Sequence, residues 1–228
     1  MERYELQEIN KVFEFADEIE DFRTLMMQYE CALLEVKTKL EVLNKELALK
    51  NRRNPFESIK CRIKEPKSIF EKMKRKGIEP TVENIEKHIK DIAGIRVICS
   101  FQDDIYMLID SLIAQDDIIL LQKKDYIENP KENGYRSLHL ILDIPIFLTK
   151  EKKHMKVEVQ FRTIAMDFWA SLEHKLKYKK QIKKAESISE ELKYCAEIIS
   201  QLDRRMQQIR QKIENENATE LNSIGEKE

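Results

Sequence analysis

Five short stretches carry side chains suited to phosphate, metal or proton chemistry. Ile59-Lys60-Cys61-Arg62-Ile63-Lys64 alternates strictly. As a strand it turns Ile59, Cys61 and Ile63 inward and sets Lys60, Arg62 and Lys64 on the opposite face. Just downstream, Lys72, Arg75 and Lys76 fall within one helical turn of each other. Like charges on one face repel unless an anion comes between them. Solvated surface is the ordinary alternative, but strict alternation on a face made only of cations favours phosphate. Ile92 to Cys99 is nearly continuous in apolar residues, so Arg96 within it needs a partner or a ligand. On these residues alone, a local pairing or cap with Asp91 is the better reading. The turn signals Pro130, Asn133 and Gly134 then feed an alternating run from Tyr135 to Leu142. Leu138, Leu140 and Leu142 take one face of it, and Tyr135, Ser137 and His139 the other. An aromatic plane, a hydroxyl, an imidazole and the nearby cations Lys131 and Arg136 are the parts of a nucleotide site; taken alone, the stretch is equally an ordinary hairpin. Finally, Met155, Val157, Val159 and Phe161 alternate with Lys156, Glu158, Gln160 and Arg162. A carboxylate among cations is either cross-strand charge pairing or a metal ligand among phosphates.

Helices and strands must hold these stretches in place. Residues 1–50 read as one helix, with Phe22, Met26, Tyr29, Leu33, Val36, Leu40, Leu43 and Leu47 on a seam of alternating fours and threes. Such a seam lies on its own domain or on another helix. Pro66 opens a short helix and Gly77 closes it, with Ile69 and Met73 as its apolar stripe. Thr81–Ile89 reads as helix, Ile92–Cys99 as a central strand covered on both faces, Asp104–Ile113 as helix and Ile118–Gln122 as strand. Thr163 caps a helix over Ala165–Lys179 that holds Trp169. A last helix spans 186–216. Its seam, Ile188, Leu192, Cys195, Ile199, Leu202, Met206, Ile209 and Ile213, matches the first. Residues 217–228 are polar and expected to fray. The chain therefore divides into a helical arm at 1–51, a central domain at 52–180 and a second arm at 181–228.

Composition narrows the function. A formal net charge of -1 argues against a broad basic field for nucleic acid, though not against a local basic pocket. Cys31, Cys61, Cys99 and Cys195 are widely spaced, with no CxxC and no Cys/His cluster, so zinc is not expected. They read as reduced core or half-buried thiols. The charged N-terminus lacks a signal region and no apolar run approaches a membrane span, which implies a cytoplasmic protein.

Taken together the segments resemble the synthetase domain of the RelA/SpoT family, in its stand-alone small alarmone synthetase form. The likeness runs from about Asn54 to Lys179. It rests on Arg62-Ile63-Lys64 with Ser68-Ile69 and Lys72; on Asp91-Ile92-Ala93-Gly94-Ile95-Arg96; on Asp125-Tyr126-Ile127 through Asn129-Pro130-Lys131 to Gly134-Tyr135-Arg136-Ser137-Leu138-His139; and on Val157-Glu158-Val159-Gln160-Phe161-Arg162-Thr163, continued by Ala165 to His174. Four motifs in order are a far stronger signal than any one of them.

The resemblance implies an α+β fold: a nucleotidyltransferase-like mixed β-sheet flanked by helices, with long helical N- and C-terminal arms, assembled as a homotetramer. It implies a pyrophosphokinase that moves the β,γ-pyrophosphate of ATP to the 3′-hydroxyl of GTP or GDP, giving (p)ppGpp and AMP. No His-Asp dipeptide occurs, so synthesis without hydrolysis is expected. Mapped by motif, Arg62 and Arg96 would sandwich the adenine by stacking; Lys64, Lys72 and Arg75 would hold the ATP phosphates. Asp91 and Glu158 would coordinate Mg²⁺, and Glu158 would also take the proton of the 3′-hydroxyl. Tyr135 would stack on guanine, with Lys131 and His139 near the acceptor's phosphates and Gln160 helping to position it. Mg²⁺ suits two carboxylates completed by phosphate oxygens. The alternative reading is a non-catalytic scaffold binding nucleotide or RNA in a basic pocket, against which the carboxylates weigh, since they repel phosphate without a metal.

The sequence departs from the family in places. Where one family pattern has Arg-x-Lys-Asp, this chain has Gln122-Lys123-Lys124-Asp125, which leaves the choice of GDP or GTP open. The RelQ-like subgroup, stimulated by bound alarmone, carries Phe-x-Thr-Gly where this chain has Ser58-Ile59-Lys60-Cys61, and Asn where it has Asp167. Both differences are more similar to the RelP-like subgroup and imply no strong stimulation by pppGpp.

Overall fold

The computed structural model describes residues 9, 12–13, 16–51, 53–178 and 185–225. The expected helical start before residue 16 falls mostly outside these residues, as does Lys179. The described elements are α1 (Ala16–Asn51), β1 (Phe56–Ile63), α2 (Pro66–Lys76), α3 (Val82–His88), β2 (Ala93–Cys99), α4 (Gln102–Ile113), β3 (Ile119–Asp125), β4 (Leu138–Phe147), β5 (Lys152–Thr163), α5 (Ile164–Tyr178) and α6 (Ala185–Gly225).

The strands form one mixed sheet in the order β1-β2-β5-β4-β3, in which only β2 and β5 run parallel. Period-2 alternation gives the sheet two unlike faces. One face carries Ala93, Ile95 and Val97, then Leu138, Leu140, Leu142 and Ile144, then Met155, Val157, Val159 and Phe161, all buried. Helix α1 lies across it. The α1 seam residues Phe22, Tyr29, Val36 and Leu40 are fully buried, and they share a core with Ile69 and Met73 of α2, Ile85 of α3, and Ile105, Leu108, Ile109 and Leu112 of α4. The first seam therefore packs on its own sheet.

Local chemistry sets the element ends. Pro66 stands at the start of α2, where its missing N–H costs nothing, and Gly77 ends it at φ 65°, donating back to Lys74 and Met73 carbonyls. Thr81 accepts from the Asn84 amide at 3.2 Å and Thr163 from the Met166 amide at 3.2 Å, capping α3 and α5.

Four expectations change. First, β2 is covered on the core face, but Gly94 and Arg96 open onto the other, so it is not doubly covered along its length. Second, β4 starts only at Leu138; Tyr135 belongs to the turn, and Ser137 is buried, its hydroxyl donating to the Phe161 carbonyl at 2.9 Å. A buried hydroxyl takes the nearest strand carbonyl as partner, so Ser137 serves the fold. Third, Cys61 and Cys195 are exposed: β1 is an edge strand, where an inward position is only partly covered. Fourth, α6 continues to Gly225 rather than ending at residue 216, since no glycine or proline interrupts it earlier. Of the expected apolar seam, Leu192 and Ile199 pack against Trp169 and Ala196, but the later part does not stay inside. Ala196, Ser200 and Asp203 are buried, while Leu202, Met206, Ile209 and Ile213 are exposed. Polar groups explain the rotation. Asp203 accepts from Thr163 Oγ1 at 2.8 Å and Gln102 Nε2 at 3.1 Å, Gln207 accepts from the Gln102 amide at 3.0 Å at the start of α4, and Arg210 pairs with Asp103. These bonds satisfy groups that an apolar stripe would have left unpaired.

Candidate functional site

The sheet's second face carries the chemistry, because its register lines up the outward positions. Lys60, Arg96, Gln160, His139 and Lys124 pair in one row across all five strands. Arg62, Gly94, Glu158 and Ile141 pair in the next. Cross-strand partners share a face, so the alternation seen in separate stretches becomes a single surface. Gly94 supplies no side chain between Arg62 and Glu158. A cleft of about 420 Å³ opens there, lined by Arg62, Lys64, Asp91, Gly94, Arg96 and Glu158 among others.

At one end of this cleft Asp91 stands just before β2. Lys64 Nζ donates to its Oδ2 at 2.6 Å and Lys72 Nζ to its Oδ1 at 2.7 Å. Burial pushes the Asp91 carboxyl up, but the two ammonium groups outweigh it and hold it below the usual carboxylate range. Glu158 behaves alike. Burial raises it, hydrogen bonds from His139 and Gln160 lower it further than that, and the neighbouring Asp91 charge pushes the other way, leaving it below its ordinary value. Gln160 Nε2 lies 2.9 Å from Glu158 Oε2 and His139 Nδ1 3.6 Å from Oε1. Two ionised carboxylates that feel each other's charge form an oxygen-only donor pair suited to a hard divalent cation. No cluster of three or more metal-ligating side chains occurs among the described residues, so such an ion would need further oxygens from a ligand.

The turn before β4 lies beside the cleft and meets it through Glu158. Gly134 adopts φ 84° and its amide donates to the Lys131 carbonyl at 2.8 Å. Tyr135 Oη lies 2.9 Å from His139 Nε2 and accepts from Arg162 Nη2 at 2.9 Å. Lys131 Nζ rests 4.9 Å from the centre of the Tyr135 ring and 4.7 Å from that of Tyr126. A continuous chain of polar contacts thus runs from Tyr135 through His139 to Glu158.

The structure accordingly brings Arg62, Lys64, Asp91, Arg96, Glu158 and Gln160 to one cleft, adds Lys72 through Asp91, and joins Tyr135, His139 and Lys131 through Glu158. Arg75 is exposed on the last turn of α2 and does not line the cleft. The local Asp91–Arg96 pair is not formed. Asp91 turns to the lysines, and Arg96 Nη1 faces Asp167 Oδ1 at 3.4 Å.

Residues 61–183 match the family model described as a region found in RelA / SpoT proteins. This chain is a member of the RelA/SpoT family. It is 44% identical over 196 residues to the GTP pyrophosphokinase YwaC of Bacillus subtilis (strain 168), covering 86% of this chain and 93% of that one. Its fold matches the small alarmone synthetase 2 of Bacillus subtilis with a TM-score of 0.76 at 43% identity, over 84% of this chain and 99% of that one. It also matches the small alarmone synthetase 1 of Bacillus subtilis bound to its product pppGpp, with a TM-score of 0.75 at 36% identity, over 84% and 97% of the two chains. The mixed sheet with helices at both ends is thus the small alarmone synthetase fold.

Within this RelA/SpoT site, sequence reasoning missed Arg162 and Asp167 as site residues. Arg162 is almost fully buried, yet reaches Tyr135 and Asp167. The available signal was its place on the same outward face as Glu158 and Gln160, two residues beyond Gln160.

Proposed function

We propose that this chain is a GTP or GDP pyrophosphokinase that makes (p)ppGpp in the stress response of its cell. The observation that carries the reading is the facing of Asp91 and Glu158 across one cleft, with cations on one side and the Tyr135–His139 pair on the other. ATP occupies the cleft side. Arg62 and Arg96 take the adenine between them, and Lys64 and Lys72 move from Asp91 to the phosphates. Arg75, exposed at the helix end, reaches phosphate only if the side chain swings in. The guanosine acceptor lies against Tyr135, with Lys131 leaving the ring for its phosphates and Gln160 beside the ribose.

In the reaction the 3′-oxygen of the acceptor attacks the β-phosphorus of ATP. The bond from that phosphorus to the α,β-bridging oxygen breaks, and AMP leaves. Glu158, its carboxyl held below the ordinary range by His139 and Gln160, accepts the 3′-hydroxyl proton, and His139 stands beside its Oε1. Asp91 and Glu158 would hold Mg²⁺, which would supply charge neutralisation and in-line alignment of the polyphosphate when bound. Two carboxylates without a third protein ligand fit an ion that shares its shell with nucleotide.

No helix among the described residues is long and apolar enough to cross a membrane, and we place the enzyme in the cytoplasm with its nucleotides. The exposed row Leu202, Met206, Ile209 and Ile213 on α6 supports assembly into a homotetramer. Lys60 and Asp167 at the subgroup positions support a rate that added pppGpp does not raise strongly; a several-fold rise would sink that part. The deciding experiment incubates the protein with ATP, Mg²⁺ and GTP, GDP or GMP and identifies products by chromatography. AMP with a 3′-diphosphorylated guanosine is expected, and their absence with every acceptor refutes the function. Salt-sensitive RNA binding indifferent to Mg²⁺ would instead favour a scaffold.

A further inference from the structure

Asp167 sits in the first turn of α5, one turn beyond the end of β5, and the chemistry above leaves it without a task. Its carboxylate gathers three cations. Oδ1 accepts from Arg162 Nη1 at 3.0 Å and from Arg96 Nη1 at 3.4 Å, and Lys60 Nζ stands 3.8 Å from Oδ2. Arg162 is only 5% exposed, and a guanidinium so buried is tolerable only when it is paired. Its second arm, Nη2, donates to Tyr135 Oη at 2.9 Å. Burial and the Arg162 charge both work against the Arg96 cation, and Asp167 offsets them only in part. One carboxylate therefore stands between the cation that lines the cleft and the cation that grips the aromatic ring. The planar fork of Arg162 fixes the angle between its two partners, which a flexible ammonium does not.

We infer that Asp167 is a positioning residue for both nucleotides, aiming Arg96 directly and Tyr135 through Arg162. This rests on the assignment of Arg96 to ATP and Tyr135 to the guanosine acceptor. Neither Asp167 nor Arg162 touches a reacting atom, so their loss raises KM more than it lowers kcat. Asp167→Asn keeps the shape and one acceptor oxygen but removes the charge that holds three cations together. Each lost charge-assisted hydrogen bond corresponds to about 10-fold in apparent affinity.

The test is steady-state kinetics on the full chain with ATP and GDP varied separately, with circular dichroism confirming the fold of each variant. Asp167→Asn is expected to raise both KM values about 10-fold, and Arg162→Lys that for GDP more than that for ATP. In an Arg96→Ala background, Asp167→Asn should still raise KM for GDP but no longer that for ATP; in a Tyr135→Phe background the pattern should reverse. Unchanged KM values in folded Asp167→Asn overturn the inference, as does an equal effect in every background, the mark of a general structural defect. Should Arg96→Ala and Tyr135→Ala, which remove the two stacking groups, themselves leave ATP and GDP affinity intact, the half-site assignment is wrong and the inference falls with it. If they weaken binding while Asp167→Asn does not, only the inference falls.

Discussion

Replacing Gly134 by alanine tests how the acceptor turn is fixed. Gly134 holds φ 84°, and a Cβ built there would lie 2.5 Å from Ala196 Cβ on α6 and 3.5 Å from the Lys193 backbone. Two costs follow. The left-handed backbone strains an L-residue by about 1–2 kcal/mol. The methyl–methyl overlap adds about 1–3 kcal/mol of overpacking, because α6 cannot slide away freely. Arg136 Nη1 bonds the Ala196 carbonyl at 3.3 Å, and Trp169 Nε1 bonds the Leu192 carbonyl at 2.9 Å. Gly134→Ala should therefore cost about 2–5 kcal/mol of stability. Urea unfolding at fixed protein concentration measures it. The fluorescence of Trp169, the sole tryptophan and itself at the α5–α6 contact, is the signal. Ala196→Gly removes the overlap but not the strain. In that background Gly134→Ala should cost only about 1–2 kcal/mol. Equal costs in the two backgrounds, or a cost below about 0.5 kcal/mol in the first, would refute the reasoning.

Other outcomes follow from the same geometry. Glu158→Gln and Asp91→Asn should each abolish measurable pyrophosphate transfer, with losses of at least about 10²–10⁴-fold, while leaving the thermal midpoint near that of the parent; near-normal product formation in both would remove them from the site. Excess EDTA should stop turnover and added Mg²⁺ restore it. His139→Ala should move the acid limb of the kcat/KM profile to higher pH. The imidazole bond helps hold the Glu158 pKa down, so losing it raises that pKa and protonates Glu158 at a pH where the parent is still ionised. Leu40→Ala, fully buried on α1, should cost about 2–5 kcal/mol in urea, whereas Met206→Ser on the exposed row should leave subunit folding within about 0.5 kcal/mol and weaken assembly in light scattering.

The site was legible in the sequence wherever alternation alone decides which way a side chain points. Glu158 and Gln160 on β5, Arg96 on β2 and His139 on β4 all face the cleft, because strand pairing preserves the period. The seam of α1 was likewise legible: Phe22, Tyr29, Val36 and Leu40 stay fully buried even though Gln28 on the same helix is buried too. Reading failed where a specific polar partner outweighed the pattern. Ser137 follows the Phe161 carbonyl into the core rather than the alternation. Helix α6 turns Asp203 and Gln207 inward toward Thr163 and the start of α4, leaving the Leu202, Met206, Ile209 and Ile213 part of its apolar seam outside. Arg75 shares a turn with Lys72, but only Lys72 meets Asp91; spacing places both near one face and does not say which reaches across it. Partners of this kind lie 19 to 105 residues away along the chain, beyond any window a periodicity can scan.

The free site also explains how a chain of nearly zero net charge can hold two polyphosphates. Its cations are neutralised locally by acids of the same site: Lys64 and Lys72 by Asp91, Arg96 and Arg162 by Asp167. Composition reports only their sum, which is why the basic pocket hides in it. An ammonium that leaves Asp91 for a phosphate exchanges one charge-assisted hydrogen bond for another, so its contribution to binding is a difference and not the full bond. Removing Lys72 forfeits that difference and leaves Lys64 on Asp91. Removing Glu158 takes away the anchor for both His139 and Gln160 and, on the proposed roles, a metal oxygen and the proton acceptor at once. The carboxylates should therefore dominate any alanine scan of this cleft, even though cations outnumber them.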